Sequence, residues 1–380
     1  MIRILYLYEH LEIGGAEQLF LTILKYLNRD KFLPIIYCIG EKGGIGKEIE
    51  KLSIQVRSLG KNTCLCNISI LFSLVNILRR ERPDVLHTNL FLANIYGRLA
   101  AKISGVDTVI TSLHNPDYSY EDNGRITYKI RKAIDKFTGY FCNSCFIAVS
   151  DFVKNDFEKH LGFKNVVVLH NCIDDSRFKK LGVRERTEKR QEIGFKDGDV
   201  ILLNVARLHP QKGHLFLVDL FKIIHEKDKR YKLIIIGNGT LEKELKDKIA
   251  FYGLEDSIKL LKDRRDIPEL MSACDIFILP SLYEGFGIVI AEAMASGIPI
   301  VANDIPTLRE IISDKIDGLL VEMKKENSEA ITKTICSLVD DQERRFSIIE
   351  NARLKAAQMF GAKQYIKKLE DIYDNALRTK

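Results

Sequence analysis

Short runs that are apolar on both faces recur along this chain, and between them apolar residues return every three to four positions. The first series is Ile2–Tyr8, Pro34–Ile39, Asp84–Thr88, Asp107–Leu113, Cys145–Val149 and Val166–Leu169. The second is Asp199–Ala206, Lys232–Ile236, Ile258–Leu261, Asp275–Leu279, Ile298–Ala302 and Gly318–Glu322. The spacing of Leu19, Phe20, Ile23, Leu24 and Leu27, and the patterns over 211–228, 240–252 and 287–296, predict helices. Doubly apolar runs alternating with helices predict buried parallel strands in βαβ units. The charged stretch 174–198 separates the two series and reads as a linker plus a surface helix. The expected fold is therefore α/β, with two Rossmann-like doubly wound domains facing across a cleft. The expected bounds are 1–175, 176–360, and a C-terminal helix, 361–380, that packs back on the first domain. Ligands of such sheets bind outside the carboxyl ends of the strands, where loops feed helix N-termini.

Composition narrows the class. With 380 residues, 46% hydrophobic and 29% charged, the chain is globular and long enough for two domains, which excludes fibrous and largely disordered proteins. No apolar run has the length of a spanning helix, and the opening MIRILYLYEH reads as a strand and not as a signal peptide, so a cytoplasmic protein is expected. Eight cysteines in a chain of this length imply reduced thiols. The net charge of +6 lies wholly in residues 1–180, which hold 25 Lys/Arg against 19 Asp/Glu, while the remainder balances at 33 against 33. One half of the protein is thus expected to face something anionic. A nucleic-acid partner is not expected, because no aromatic-interleaved basic strand accompanies this modest excess.

Three motif fragments carry no function. Residues 41–48, EKGGIGKE, have Glu where a phosphate-binding P-loop needs its first Gly and its final Ser/Thr, and read as a glycine-rich surface loop. Asp197-Gly198-Asp199 has the spacing of a metal-binding pair but precedes a strand, and Asp-Gly is ordinary turn chemistry. Cys142-Asn143-Ser144-Cys145 finds no second pair of zinc-ligand spacing, since Cys64 and Cys66 are one residue apart.

Five loop segments after apparent strands do suggest chemistry. Gly14-Gly15-Ala16-Glu17 precedes a helix and offers backbone donors to an anion. Arg207 and Lys212, either side of Pro210 in Asn204–Gly213, form a candidate diphosphate clamp. Gly237-Asn238-Gly239 again offers donors before a helix, although the third glycine of a dinucleotide fingerprint is missing. In Pro280–Glu292, Glu284 lies in a loop, Gly285 and Gly287 expose backbone N–H groups, and Glu292 sits on a helix apolar nearly all round. Two carboxylates and a row of amides suit a polyhydroxylated ligand. His114 closes a strand of the first series, where a donor to a sugar hydroxyl would belong.

Taken together and in order, these segments resemble the GT-B-fold retaining glycosyltransferases of family 4 (glycosyl transferases group 1). The resemblance rests on GGAE, a His at a mid-domain strand end, His170-Asn171-Cys172-Ile173-Asp174, R-x-x-x-x-K-G and E-G-F-G-x-x-x-x-E. It implies that Arg207 and Lys212 neutralise a departing diphosphate and that His114 contacts the donor sugar. Glu284 and the backbone of Gly285, Phe286, Gly287 and Ile288 would hold sugar hydroxyls, and Glu292 the ribose. Gly15, Gly237 and Asp263 of the 262–266 loop would line the donor site. It further implies front-face transfer with retention, no cofactor and no metal ion. Cys172 departs from the family's usual Gly, which puts the hinge turn in question.

The expected reaction moves a hexose or N-acetylhexosamine from a nucleotide sugar, most commonly a UDP-sugar in this family, to a saccharide acceptor, with a lipid-linked one favoured, in surface polysaccharide or glycolipid synthesis. The alternatives are a UDP-GlcNAc 2-epimerase-like enzyme, which should lack E-G-F-G-x-x-x-x-E, and a non-catalytic nucleotide-sugar-binding protein. In 125–137, Arg125, Lys129, Lys132 and Lys136 share one helical stripe beside Ile126, Ile130, Ala133, Ile134 and Phe137. That pattern suits either an ordinary core helix with a solvated basic face or peripheral contact with the inner face of an anionic membrane.

Overall fold

The computed structural model describes residues 1–120, 126–142, 145–178 and 180–378. It divides into two compact units, Met1–Cys172 with Ala362–Lys380, and Ile173–Gly361.

The first unit holds β1 (Ile2–Tyr8), β2 (Phe32–Cys38), β3 (Val56–Ser58), β4 (Val85–Asn89), β5 (Val109–Leu113), β6 (Cys145–Ala148) and β7 (Val166–Val168), in the order β3-β2-β1-β4-β5-β6-β7. The second holds β8 (Val200–Val205), β9 (Tyr231–Ile236), β10 (Ile258–Leu261), β11 (Ile276–Leu279), β12 (Ile300–Asn303) and β13 (Leu319–Val321), in the order β10-β9-β8-β11-β12-β13. Every ladder pairing is parallel, as runs apolar on both faces require. The strand order reverses between β1 and β4 in one sheet and between β8 and β11 in the other, and at such points the loops after the strands diverge and leave a crevice.

Two elements differ from the sequence reading. Residues Gly43–Glu50 form a helix, not a loop, and its leading N–H groups are already used: Ile45 and Gly46 both donate to the Leu11 carbonyl. β3 is three residues long, too short for its apolar pattern to register. Asp197-Gly198 is a turn before β8, with the Lys196 N–H donating to Asp199 Oδ2 at 2.8 Å. Cys172 is absent from the residues with positive φ, so the position accommodates a Cβ without glycine. Residues 143–144 of the Cys142–Cys145 motif, and Arg125 of the basic stripe, lie outside the described residues.

The helix Ala362–Arg378 belongs to the first unit and is anchored there by a buried polar chain. The Tyr373 hydroxyl lies 3.0 Å from that of Tyr6 and 2.8 Å from His87 Nδ1, and His87 Nε2 lies 2.8 Å from Ser112 Oγ. Burial holds the His87 ring neutral, its pKa pushed down to about 3.

The helix Ile126–Phe141 is amphipathic in the reverse sense. Its buried residues are Tyr128, Asp135, Thr138 and Gly139, while Ile126, Ile130 and Phe137 are exposed. The cause is Arg98, wholly buried, which donates from Nη1 to Asp135 Oδ1 at 2.7 Å and to Thr138 Oγ1 at 3.1 Å; Tyr118 completes the site by donating to Asp135 Oδ2 at 2.6 Å. A buried guanidinium demands a carboxylate, so the face bearing Asp135 and Thr138 turns inward, and the apolar stripe is left outside together with Lys129 and Lys136. No helix among the described residues is long and apolar enough to cross a membrane.

Replacing Arg98 by Leu strands the Asp135 carboxylate in the interior. The expected loss is about 3–5 kcal/mol in urea unfolding; an unchanged midpoint would show that the pair does not hold this helix down.

Candidate functional site

In the second unit the loops after β8, β9 and β11 are tied to one another through the backbone. Asn204, near the end of β8, donates from Nδ2 to the Ile278 carbonyl at 2.8 Å. The β8 loop ends in a single 3₁₀ turn, Pro210–Lys212, before the helix His214–Lys227. Gln211 stitches this turn to the β11 loop twice: its carbonyl accepts from the Leu282 N–H at 2.8 Å, and its Nε2 donates to the Tyr283 carbonyl at 2.8 Å. Gly213 has φ +69°, and a Cβ there would collide with the Pro280 carbonyl, so only glycine lets the two loops meet. A Cβ on Gly237 would likewise collide with the Ala206 carbonyl, while Leu208 donates to the Asn238 carbonyl at 2.8 Å.

This scaffold fixes the charges. Lys212 Nζ lies 2.6 Å and 2.7 Å from the two oxygens of Glu284, and both side chains are largely buried. The Glu284 carbonyl accepts from Thr307 Oγ1 at 2.8 Å, and the Ser281 carbonyl from Asn303 Nδ2 at 2.9 Å, so β12 and the helix after it support the loop from below. Arg207 is exposed, and its side chain makes no hydrogen bond or ion pair among the described residues. His214 is wholly buried, and burial, reinforced by the Lys212 charge, pushes its pKa down to about 4. The ring is thus neutral and leaves Lys212 as the positive group of the turn.

The other residues predicted in this unit lie on loops and a helix that follow strands of the same sheet. Gly285, Phe286 and Gly287 lead into the helix Ile288–Ser296. The Phe286 ring itself packs edge-on to Phe360. Asp263 has φ +50° and accepts from Asn238 Nδ2 at 2.6 Å, which joins the β10 loop to the β9 loop. Glu292, half-buried, lies on the helix Ile288–Ser296; burial pushes its pKa up to about 7, partly opposed by Arg177.

The first unit presents a second group at its own reversal point. Glu9, directly after β1, accepts from the Leu92 N–H and so caps the helix Phe91–Ser104; burial raises its pKa. Gly15 opens the helix Gly15–Tyr26, and the carboxylate of Glu17, 6% exposed, crowds Gly14 and lies 3.7 Å from His10 Nδ1. A carboxylate already occupies the first turn that the sequence offered to an anion. His114, directly after β5, lies with Nε2 3.1 Å from Asn89 Oδ1, and burial pushes its pKa down to about 4. Gln211, Asn303, Thr307 and Asn89 were missed by motif reasoning. Their signal is modest: Asn89 and Asn303 each end a strand, where a side-chain amide can serve neighbouring loops.

The geometry matches known proteins. Glycosyl transferases group 1 match residues 185–355, and Glycosyltransferase Family 4 matches residues 13–177. An uncharacterized glycosyltransferase of Methanocaldococcus jannaschii is 30% identical over 287 residues, covering 73% of this chain and 72% of that protein. The UDP-Gal:alpha-D-GlcNAc-diphosphoundecaprenol alpha-1,3-galactosyltransferase of Escherichia coli is 26% identical over 375 residues, covering 95% and 94%. Among solved structures, Anabaena HepE in complex with UDP and glucose superposes with a TM-score of 0.86 at 23% identity, covering 98% of this chain and all of that one. WaaG, a glycosyltransferase involved in lipopolysaccharide biosynthesis, gives 0.79 at 18%, covering 98% and 99%. The fold is that of the GT-B enzymes, and the chain belongs to the group 1 glycosyl transferases. It is a glycosyltransferase, which sets aside the epimerase-like and non-catalytic alternatives.

Glu292 carries a pH signature. Its folded pKa of about 7 exceeds the ordinary 4.5, so its contribution to stability is full below about 4.5 and is lost as pH rises through 7. Glu292→Gln, permanently neutral, should therefore gain in melting temperature over the wild type as pH rises from 5 to 8; a constant difference would mean that the carboxyl titrates normally.

Proposed function

We propose that the chain transfers a hexose or N-acetylhexosamine from a UDP-sugar to a lipid-linked saccharide, with retention and without a metal ion, in the synthesis of a surface polysaccharide or glycolipid. The observation that carries this reading is the Lys212–Glu284 pair held at the reversal point of the second sheet. The E. coli relative bears the name of an enzyme using UDP-Gal and a diphosphoundecaprenol acceptor, and HepE has been solved with UDP-glucose.

In this reading Lys212 exchanges part of its contact with Glu284 for the diphosphate, and Arg207, free to turn, forks across the same oxygens. The negative charge that grows on the leaving group meets two cations already in place. Glu284, relieved of one ammonium contact, accepts from sugar hydroxyls, and the amides of Gly285, Phe286, Gly287 and Ile288 donate to the remainder. Glu292 accepts from the ribose, while Gly237 and Asp263 line the nucleotide. Gly15 and His114 keep the roles the resemblance implies, His114 toward a sugar hydroxyl. The departing phosphate oxygen takes the acceptor proton on the face of attack, so no separate base is required.

The acceptor side is supported by the helix Ile126–Phe141. Ile126, Ile130 and Phe137 are exposed beside exposed Lys129 and Lys136, the pattern of a helix lying on an anionic lipid surface. Such contact would bring the enzyme to lipid-linked acceptors at the inner face of the cell membrane.

A melting-temperature panel of UDP-, GDP- and ADP-sugars tests the donor. UDP-sugars at ~100 times their dissociation constant should stabilise by about 2.7 kcal/mol. Glu284→Ala should stay folded and lose about 10²-fold or more in turnover; wild-type turnover would remove Glu284 from the site. Sedimentation with phosphatidylglycerol vesicles tests the surface: the wild type should pellet and Phe137→Glu should stay in the supernatant. Equal partitioning of the two would dismiss the helix as a membrane contact.

A further inference from the structure

β4 ends in a carboxamide that packing alone does not explain. Asn89 is 2% exposed, stands opposite Ser112 of β5 in register, and has its Nδ2 buried without a hydrogen-bond partner. An unpartnered buried donor is destabilising, and leucine would fill the same volume without that penalty. The one hydrogen bond the side chain makes among the described residues is accepted by its Oδ1 from His114 Nε2, at 3.1 Å. A carboxamide oxygen can only accept, so the imidazole must carry its proton on Nε2. A neutral imidazole has a single N–H, which leaves Nδ1 bare as an acceptor. The other buried histidine of this region does not compete, because His87 is engaged on both nitrogens by Tyr373 and Ser112.

We infer that Asn89 is a positioning residue: it fixes His114 in the Nε2–H tautomer and so presents Nδ1 to accept from a hydroxyl of the donor sugar. The inference rests on the proposed role of His114 toward a sugar hydroxyl. It adds a specificity element to that role. A ring that accepts recognises a hydroxyl, which can donate, and rejects an ether or carbonyl oxygen at the same place, which cannot.

Long-range ¹H–¹⁵N correlation spectra of the full-length, histidine-labelled protein read the tautomer directly. Above the titration of the ring, wild-type His114 should show a protonated Nε2 and an unprotonated Nδ1. Asn89→Leu should give averaged nitrogen shifts of mixed tautomers with an unchanged or higher melting temperature, and Asn89→Asp, which keeps an acceptor, should restore the single tautomer. With UDP-glucose as probe, Asn89→Leu should lower the kcat of donor hydrolysis about tenfold with KM changed less than about twofold, and Asn89→Asp should recover most of it. An Nδ1–H tautomer in the wild type, or an unchanged tautomer in Asn89→Leu, overturns the inference. The spectra need no donor, so an enzyme that failed to bind UDP while keeping the Nε2–H ring would refute the proposed function and leave the tautomer assignment standing.

Discussion

The candidate site depends on one contact, an ammonium seated between both oxygens of a carboxylate. Lys212 and Glu284 come from loops 72 residues apart, and each is largely removed from water. Such a pair gains little stability, because desolvating two ions cancels most of their attraction. It does hold a cation in a fixed place without a ligand. The tie between the loops makes that possible: Gln211 bonds to the Leu282–Tyr283 backbone, and glycine at 213 allows the Pro280 carbonyl to approach. In the proposed reaction a diphosphate would meet a charge that is already oriented, the condition under which electrostatic stabilisation is most effective.

The strands and the loops that follow them were legible because both leave strong local signals. Runs apolar on both faces demand burial on both faces, and glycine beside a charged residue after such a run has few other uses. The 43–50 helix was not legible, since glycines at 43, 44 and 46 argue against helix and the Leu11 carbonyl, remote in sequence, helps to hold its first turn. The direction of the helix Ile126–Phe141 was equally hidden. Its apolar stripe suggested a core face, and the deciding group, Arg98, lies 37 residues before its partner Asp135. Periodicity reports which residues share a face. It does not report which face a buried ion will claim.

The same limit applies to the side chains that support the site. Glu284 and Lys212 belong to motifs, but Asn303, Thr307 and Gln211, which hold their loops, are single polar residues in ordinary contexts. In the first unit, Asn89 beside His114 is of this kind. Each is recognised only when a buried amide or hydroxyl is asked where its hydrogen bonds go. That question also separates the Gly14–Glu17 turn from an open anion site, because Glu17 has already placed a carboxylate in it.

The central claim is that two side chains do the work of a divalent ion. Calorimetric titration of UDP into the intact protein, once with EDTA and once with Mg²⁺, measures it directly. Equal affinity in both buffers, with a loss of about 10-fold or more in Arg207→Ala and again in Lys212→Ala, is the result this account requires. Binding that appears only when Mg²⁺ is present, or that ignores both substitutions, would contradict it.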